Sequence, residues 1–259
     1  MNLRENINSE ENLLAELEKN YQRIKEYSKK IVMLTDDEAK GIQRYRNPNL
    51  YIIKLERWSI LEAYFFIIKA KYTLGYPVSE LLDDYEKGLQ VFSDYWASLT
   101  DEDFTYGTKF QPFYSALRYE KLIGYIALSF LLNVSEESFK TIIKIRDRIP
   151  TPDILLDFLL SHKDGRTVCQ ERIRGNLYKG LASILQKGKD NIAVADIKKY
   201  LMKQWHKDYI RTGNMYTHTE YFHVGYWSFE TGAVVKLLNL DDSSLKGVPY
   251  YPYDLVHYQ

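Results

Sequence analysis

The 259-residue sequence is poor in cysteine, glycine and proline, and it has no excess of charge of either sign. Its single cysteine, Cys169, excludes an internal disulfide framework and a cluster of cysteine metal ligands, which favours a reducing compartment. Lysine and arginine total 35, as do aspartate and glutamate, so the formal net charge is zero. A global attraction to nucleic acid or to an anionic membrane is therefore not expected, and a charged partner must meet a local patch.

Long hydrophobic runs are also missing. The longest uncharged stretch, Leu122 to Val134, is shorter than the roughly 18 residues that suggest a membrane span, so we expect a buried helix there. Residues Met1 to Glu11 mix Asn, Ser, Glu and Arg without the apolar core that a signal peptide needs. These features predict a cytoplasmic protein with no membrane partner.

Signatures of catalysis are absent from the sequence. It has no Gly-x-Ser-x-Gly elbow, no Walker loop and no Gly-x-Gly-x-x-Gly turn. The adjacent carboxylates, such as Asp83-Asp84 and Asp241-Asp242, do not share a helix face and are not an acid/base pair. Cys169 is interpreted as a small hydrophobic residue on the buried side of a helix start. We therefore predict no catalytic residue and no cofactor.

The distribution of apolar residues predicts helices along the whole chain. Apolar positions recur mostly at spacings of three and four, and few glycines or prolines interrupt them. The predicted fold class is all-α, a multi-helix bundle or a helical-repeat-like array of antiparallel helices. The predicted helices are one with a face from Leu14 to Ile31 and Ser9 as N-cap, and then segments near 50–74, 80–99, 113–132, 135 onward, 152 onward, 168–186, 192–211 and 221–240.

The domain organisation rests on two breaks in this pattern. A helix is expected to open at Ser135, and the Ile149-Pro150-Thr151-Pro152 stretch interrupts the chain, with Thr151 as N-cap and Pro152 at the first helical position. This stretch is either a domain boundary or a packed corner. We predict an N-terminal helical domain over 1–134 and a C-terminal helical domain over 135–259, or the two packed as one unit.

One group of residues has metal-ligand chemistry. His218, Glu220 and His223 are clustered, but the two histidines are five residues apart and do not share a helix face. A zinc site would need them in a loop together with a distant ligand such as His206 or His257. The favoured interpretation is that these histidines pack or form hydrogen bonds, so we predict no metal and keep a metal-dependent hydrolase as an alternative.

One segment is rich in charge of a single sign. Eight carboxylates between residues 80 and 103 are opposed only by Lys87: Glu80, Asp83, Asp84, Glu86, Asp94, Asp101, Glu102 and Asp103. On one helix and its exit loop they form a negative patch on a neutral protein, a candidate docking surface for a basic partner. A solvated helix face with capping carboxylates explains the same pattern equally well. Aromatic residues make up 15% of the chain, yet no basic–aromatic run suggests a nucleic-acid partner.

The C-terminal part of the sequence resembles a known family. The run YFHVGYWSFETGAVV at 221–235 is followed by LDDSSL at 240–245 and YYPYDL at 250–255. Together they resemble the "GYWsfE-aaA-v … lDDssl … YYPyDL" pattern of the PoNi immunity proteins. Residues 200–205 resemble the helix that leads into this motif, and His218 lies where the family often has a histidine. The helical N-terminal half resembles the accompanying PoNi N-terminal domain.

The resemblance implies a cytoplasmic antidote that binds a polymorphic nuclease toxin, PoNe, of the PD-(D/E)xK type delivered by bacterial secretion systems. It implies a binder and not an enzyme. Because a DNA-cleaving cleft must be basic, we expect an acidic helical surface to occlude the DNA groove of the nuclease. Docking away from the nuclease active site is the rival mechanism, and a helical-repeat adaptor with an unrelated partner is the alternative function.

The residues that carry the resemblance are interpreted as structural. They are Gly225, Tyr226, Trp227, Glu230, Asp241, Asp242, Tyr251, Pro252 and Asp254. Gly225 is expected to permit a tight turn, Trp227 and Phe229 to anchor a helix in the core, and Glu230 to find a buried partner such as Tyr or Arg. Gly232 replaces the small residue, often Ala, that is usual there, which indicates a close helix contact.

Overall fold

The structure is a computed structural model that describes residues 3–100, 105–106, 109–110, 116–149, 151–172, 177–210 and 223–259. The predicted all-α class is confirmed, with a single short β-pair in these ranges, Thr105–Tyr106 (β1) antiparallel to Lys109–Phe110 (β2). No helix in the described ranges has both the length and the apolar character needed to cross a membrane. The helices are α1 Glu10–Ala39, α2 Asn49–Leu74, α3 Leu82–Ala97, α4 Ala116–Leu131, α5 Glu136–Asp147, α6 Ile154–Asp164, α7 Lys179–Leu185, α8 Val194–Tyr200, α9 His206–Ile210, α10 Phe229–Leu237 and α11 Tyr253–Val256.

Contacts between residues divide the chain into two compact units. The N-terminal unit comprises residues 1–103 and 218–225, and the C-terminal unit comprises residues 104–217 and 226–259. These units do not test whether the chain has two independent domains, 1–134 and 135–259, so that division stays a prediction.

The N-terminal unit is built on an antiparallel hairpin of α1 and α2, with α3 packed on α2. Leu13 and Leu17 near the start of α1 share a cluster with Leu74 at the end of α2, whereas Leu34 packs with Ile52. The ends of these helices follow from local chemistry. The predicted N-cap is confirmed at Ser9, whose hydroxyl accepts from the backbone N–H of Asn12 at 3.2 Å, and the left-handed Gly75 ends α2.

Two segments distant in sequence complete the N-terminal unit at the end of α2. Arg4 donates to the carbonyl of Tyr72 at 2.7 Å, and the Thr73 hydroxyl donates to the carbonyl of Val224 at 2.7 Å. Asn8 donates to the carbonyl of His223 at 2.9 Å, and the His223 ring meets the Glu5 carboxylate at 2.7 Å. Since Val224 also enters the apolar cluster of α1 and α2, residues 223–225 are part of this core.

The C-terminal unit has two central helices, α4 and α10, which pack on each other. Every residue of α4 from Tyr119 to Leu131 is buried, as is every residue of α10 from Phe229 to Val235. The buried helix expected at Leu122 to Val134 is thereby confirmed. Helices α5 and α6 pack against α4, and α11 packs against α10.

Ile149 and Thr151, on either side of residue 150, lie within the C-terminal unit and are held by one buried arginine. The buried Arg146 guanidinium donates to the carbonyls of Ile149 at 2.7 Å and Thr151 at 3.1 Å, and it pairs with Asp157 at 2.9 Å. The predicted Thr151 cap is wrong, because Asp153 caps α6 and accepts from two backbone N–H groups. The N-cap position is therefore occupied by the carboxylate of Asp153, two residues after Thr151.

Three predicted helices differ from the observed ones. Residues 168–172 are not helical, so Cys169 lies half-buried in an irregular segment, where burial raises the pKa of its thiol. Helix α10 begins at Phe229 and not near residue 221, and residues 223–228 are not helical. The segment near 192–211 is helical as predicted but contains a π-helical turn at Leu201–Trp205.

Candidate functional site

The candidate site is the exposed acidic face of α3 and of the short 3-10 turn, Val78–Leu81, that precedes it. Glu80, Asp83, Lys87 and Asp94 are exposed, and their spacing places them on one helix face. We call this set, together with the adjoining half-buried Glu86, the acidic face.

Two carboxylates of the acidic face have hydrogen-bond partners on the same helix. Asp83 pairs with Lys87 at 2.7 Å across one helical turn, and this hydrogen bond raises the pKa of Lys87. Asp94 accepts from the neutral amide of Gln90 at 2.9 Å. Exposed pairs of this kind contribute little to folding, so these side chains can exchange their partners on binding at low cost.

The helix folds this way because its other face is strongly apolar. Tyr85, Leu89, Phe92 and Trp96 are all buried, and α3 packs against α2. Carboxylates in the first turn of α3 also interact favourably with the positive end of the helix dipole.

Asp84 is the member of the predicted cluster that does not belong to the exposed surface. It is 2% exposed, and its carboxylate accepts from the Lys71 ammonium at 2.5 Å and from the Tyr21 hydroxyl at 3.0 Å. Burial acts against the charge of Lys71, yet its pKa is raised because Asp84 and Tyr21 hold the ammonium form. Asp84 therefore joins α3 to α1 and α2 and is not available to a partner.

The two partners of Asp84 are not predicted by the sequence, although a signal for its burial exists. Asp84 lies three residues after Leu81 and one before Tyr85, on the apolar face of the predicted helix. Its partners, Lys71 and Tyr21, lie on other helices, and nothing in the sequence near Asp84 identifies them. The remaining predicted members of the cluster, Asp101, Glu102 and Asp103, lie outside the described residues.

The residues of the family-like motif lie in a dense aromatic part of the chain. Gly225 has a φ of 111°, a backbone conformation that suits glycine, and the tight turn expected there stays a prediction. The Tyr226 ring contacts the rings of His206 at 4.8 Å and Tyr250 at 6.1 Å, both edge-on. Trp227 is buried, as predicted for an anchor of the core.

Glu230 is buried at the start of α10 and has neutral hydrogen-bond donors. The indole Nε1 of Trp205 and the hydroxyl of Ser228 each donate to Oε1 at 2.6 Å. The expected buried partners exist, but they are Trp and Ser and not the Tyr or Arg that we had expected. Burial raises the pKa of Glu230 to about 7, although both hydrogen bonds act in the opposite direction.

The last motif residues hold the C-terminal segment. The exposed Asp241 accepts from the backbone N–H of Ser243 at 3.1 Å, which lowers its pKa. The buried Asp242 accepts from the Tyr251 hydroxyl at 2.5 Å. Pro252 is buried, whereas Asp254 is exposed.

Gly232 confirms the predicted close helix contact. A Cβ added at this position would lie 2.7 Å from Cγ of Pro252 and 3.2 Å from the side chain of Val256 on α11. An alanine at this position would therefore push α11 away from α10, which outweighs its helix propensity. These contacts lie within the chain, and a structural role for the whole motif stays our prediction.

The described ranges contain no group of three or more His, Cys, Asp or Glu residues placed to hold a metal ion. His223, the described member of the predicted metal-like group, has its ring against Glu5 in the N-terminal unit. His218 and Glu220 lie outside the described residues, so the alternative of a metal site stays a hypothesis.

Comparison with known proteins places this fold and this motif in one family. The sequence profile described as "PoNe immunity protein (PoNi), N-terminal" matches residues 4–144, and "PoNe immunity proteins (PoNi), C-terminal" matches residues 151–255. The crystal structure of protein PA2201 from Pseudomonas aeruginosa matches with a TM-score of 0.73 and 18% identity, over 99% of this chain and 90% of that chain, a likeness that shows the fold. No curated protein matches the chain. With both profiles matched, this chain belongs to the PoNe immunity protein (PoNi) family.

Proposed function

We propose that this chain binds a cognate nuclease toxin and neutralises it by covering the DNA-binding or active-site groove of the nuclease with the acidic face of α3. Membership of an immunity family supports a toxin as the partner. The observation that carries the mechanism is the row of exposed carboxylates at Glu80, Asp83 and Asp94.

The chemistry of DNA binding explains why such a face would fit. A cleft that holds the DNA backbone needs lysine and arginine side chains to neutralise the phosphates. Carboxylates on a rigid helix can meet the same cations and exclude DNA from them. The partner in this proposal is a secreted DNase of the PD-(D/E)xK type.

In this proposal the chain neutralises the toxin by binding it and by no other means. It needs no cofactor, carries no catalytic residue and acts in the cytoplasm, where a DNase toxin would meet DNA. The purified protein is expected to contain no stoichiometric zinc and to leave DNA intact. Stoichiometric zinc by metal analysis would support the hydrolase alternative built on His218, Glu220 and His223.

The first experiment combines co-purification with a cleavage assay. The chain is expressed together with the product of the neighbouring gene, and DNA degradation by that product is measured with and without the chain. A stable complex that abolishes cleavage is expected. No complex, with a neighbour that lacks nuclease activity, would contradict the proposal and favour an adaptor with another partner.

Charge reversal tests the mechanism. Asp83→Lys with Asp94→Lys should weaken the complex at least about tenfold, slow association and reduce its salt dependence, since charges at an interface act mainly on the association rate. Glu137→Lys is the matched control, because Glu137 forms a similar exposed pair with Lys140 in the C-terminal unit. Equal affinities for the wild type and for both variants would remove the acidic face from the interface.

A further inference from the structure

Exposed apolar side chains are concentrated at one end of the α1–α2 hairpin. Ten large hydrophobic side chains of the described residues are at least 38% exposed, and five of them lie between residues 42 and 55. These five are Ile42 (41%), Tyr45 (43%), Leu50 (56%), Tyr51 (49%) and Leu55 (48%). Together with the adjoining exposed Arg46, we call them the hairpin patch.

The loop that carries half of the hairpin patch is held in place by its own side chains. Gln43 donates to the carbonyls of Tyr45 and Asn47, both at 2.7 Å, and Asn49 donates to the carbonyl of Ile42 at 2.8 Å. Arg44 forms an ion pair with the buried Asp37 and lowers the pKa of that carboxyl. A surface that is already ordered loses less conformational entropy when it binds.

The composition of the hairpin patch is that of a binding surface. Single exposed apolar residues are ordinary, but a cluster of them marks an interaction site. Tyrosine and arginine are enriched among the residues that carry most of the energy of protein interfaces. Tyr51 and Leu55 are one helical turn apart on α2, so they present one continuous surface.

Charge favours a partner other than a second copy of this chain. Residues 29–57 contain seven basic and four acidic side chains: Lys29, Lys30, Lys40, Arg44, Arg46, Lys54 and Arg57 against Asp36, Asp37, Glu38 and Glu56. Two hairpin patches facing each other would bring these positive surfaces together, which is unfavourable. A partner that offers apolar side chains bordered by carboxylates fits better.

The hairpin patch is continuous with the acidic face. The Arg57 guanidinium reaches the carbonyl of Asp94 at 3.5 Å, and the Trp58 ring lies 5.3 Å from the ring of Tyr95. Since Leu55 is one turn before Trp58 on α2, the C-terminal end of α3 borders the patch. An apolar centre with a charged rim is the usual anatomy of a protein interface.

We propose that the hairpin patch is the apolar centre of the surface that binds the toxin, and that the acidic face is part of its rim. This inference rests on the proposed function. A metal-dependent DNA nuclease carries charged groups of both signs, because it needs carboxylates to hold its metal and cationic side chains to hold phosphates. The positive border of the patch and the negative face of α3 would meet these two regions.

The test measures the affinity of the purified toxin for two patch variants, Leu50→Ala with Leu55→Ala and, separately, Tyr45→Ala with Arg46→Ala. Truncating central interface residues should weaken binding at least about 30-fold, mainly by faster dissociation. Met202→Ala is the matched control, because Met202 is 55% exposed on the C-terminal unit. Melting temperatures of all variants check that each one is folded.

The outcomes separate the two proposals. Weakened binding in both patch variants, with the control unchanged, supports the inference. Wild-type inhibition with patch variants within threefold of wild-type affinity overturns the inference and leaves the proposed function standing. A wild-type chain that does not bind the toxin overturns both. Self-association in sedimentation experiments that the patch variants abolish, without any effect on toxin binding, would assign the patch to a second copy instead.

Discussion

The two units each bury a carboxylate at the start of a helix, and they stabilise it in different ways. Asp84 of α3 is held by the Lys71 ammonium at 2.5 Å and by a tyrosine hydroxyl. Glu230 of α10 accepts from the neutral groups of Trp205 and Ser228, both at 2.6 Å. Burial raises the pKa of Glu230 to about 7, and these two hydrogen bonds offset only part of that rise.

Burial alone does not decide the charge of an acidic side chain. A cation beside the carboxylate offsets the loss of hydration, whereas neutral donors offset only part of it. Asp84 fastens α3 to the hairpin through its contacts with Lys71 and Tyr21. Glu230 can gain a proton near neutral pH without losing its two donors.

The largest expected effect on stability comes from removing the Lys71 cation that pairs with Asp84. Lys71→Met leaves Asp84 buried without its positive partner, and breaking a buried pair in this way should lower the free energy of unfolding by about 3 kcal/mol. Urea unfolding at pH 8 measures it. The double variant Lys71→Met with Asp84→Asn should recover more than half of the loss, and a single variant as stable as wild type would contradict the assignment.

The next effect is a pH dependence that belongs to Glu230. Its pKa in the folded chain, about 7, lies above the ordinary value of 4.5, so the folded state binds the proton more tightly than the unfolded state. Stability from this group is complete below pH 4.5 and is lost as the pH rises to 7, by about 1.4 kcal/mol per unit. Glu230→Gln should abolish this loss and keep both donors.

Urea unfolding at pH 5, 6, 7 and 8 checks the prediction for Glu230. The stability of Glu230→Gln relative to wild type should increase with pH up to about 7 and then remain level. A difference between the two proteins that is constant from pH 5 to pH 8 would show that Glu230 does not titrate in this range.

A smaller effect distinguishes the hydroxyl donors of the two carboxylates. Tyr21→Phe removes a donor to Asp84 and should cost about 1–2 kcal/mol. Ser228→Ala removes a donor to Glu230, and it should cost more at pH 8, where the carboxylate is ionised, than at pH 5. Chemical unfolding at pH 5 and pH 8 measures the free energy of unfolding of both variants. An equal cost of Ser228→Ala at the two pH values would contradict the prediction.

The smallest effect on stability is expected next to Asp84 in the sequence. Asp83→Asn breaks an exposed pair with Lys87, and the free energy of unfolding should change by less than about 0.5 kcal/mol. The same variant should slow association with the toxin. A large loss of stability would mean that Asp83 belongs to the fold and not to the acidic face.

Those parts of the fold that depend on local signals could be predicted from the sequence. Ser9 and Gly75 mark the ends of α1 and α2 by their own side-chain and backbone properties, and the apolar spacing between them is helical. The predicted apolar face of α1 was wrong at its first residue, because Leu13 is buried and the expected Leu14 is 38% exposed. The sequence does not show which of these two leucines is buried, because that depends on where the partner helix lies.

Those parts that depend on distant contacts could not be predicted. The backbone N–H of Ser228 donates to the carbonyl of Tyr250, and that of Ile154 donates to the carbonyl of Glu171, so both irregular segments are fixed by remote backbone groups. The same holds for the candidate site. The spacing along α3 sets Asp84 apart from Asp83, but the partners of Asp84, Lys71 and Tyr21, lie on other helices and could not be predicted from the sequence.

The closure of the N-terminal unit by residues 223–225 has a consequence for biosynthesis. Val224 completes the apolar cluster between α1 and α2, yet it is made 151 residues after Thr73, to which it bonds. The nascent hairpin must therefore wait on the ribosome with part of its apolar surface uncovered, since a contact of such long range forms late. A truncated translation product that stops before residue 223 would lack this last piece, so the core of the N-terminal unit is complete only after residues 223–225 have been made.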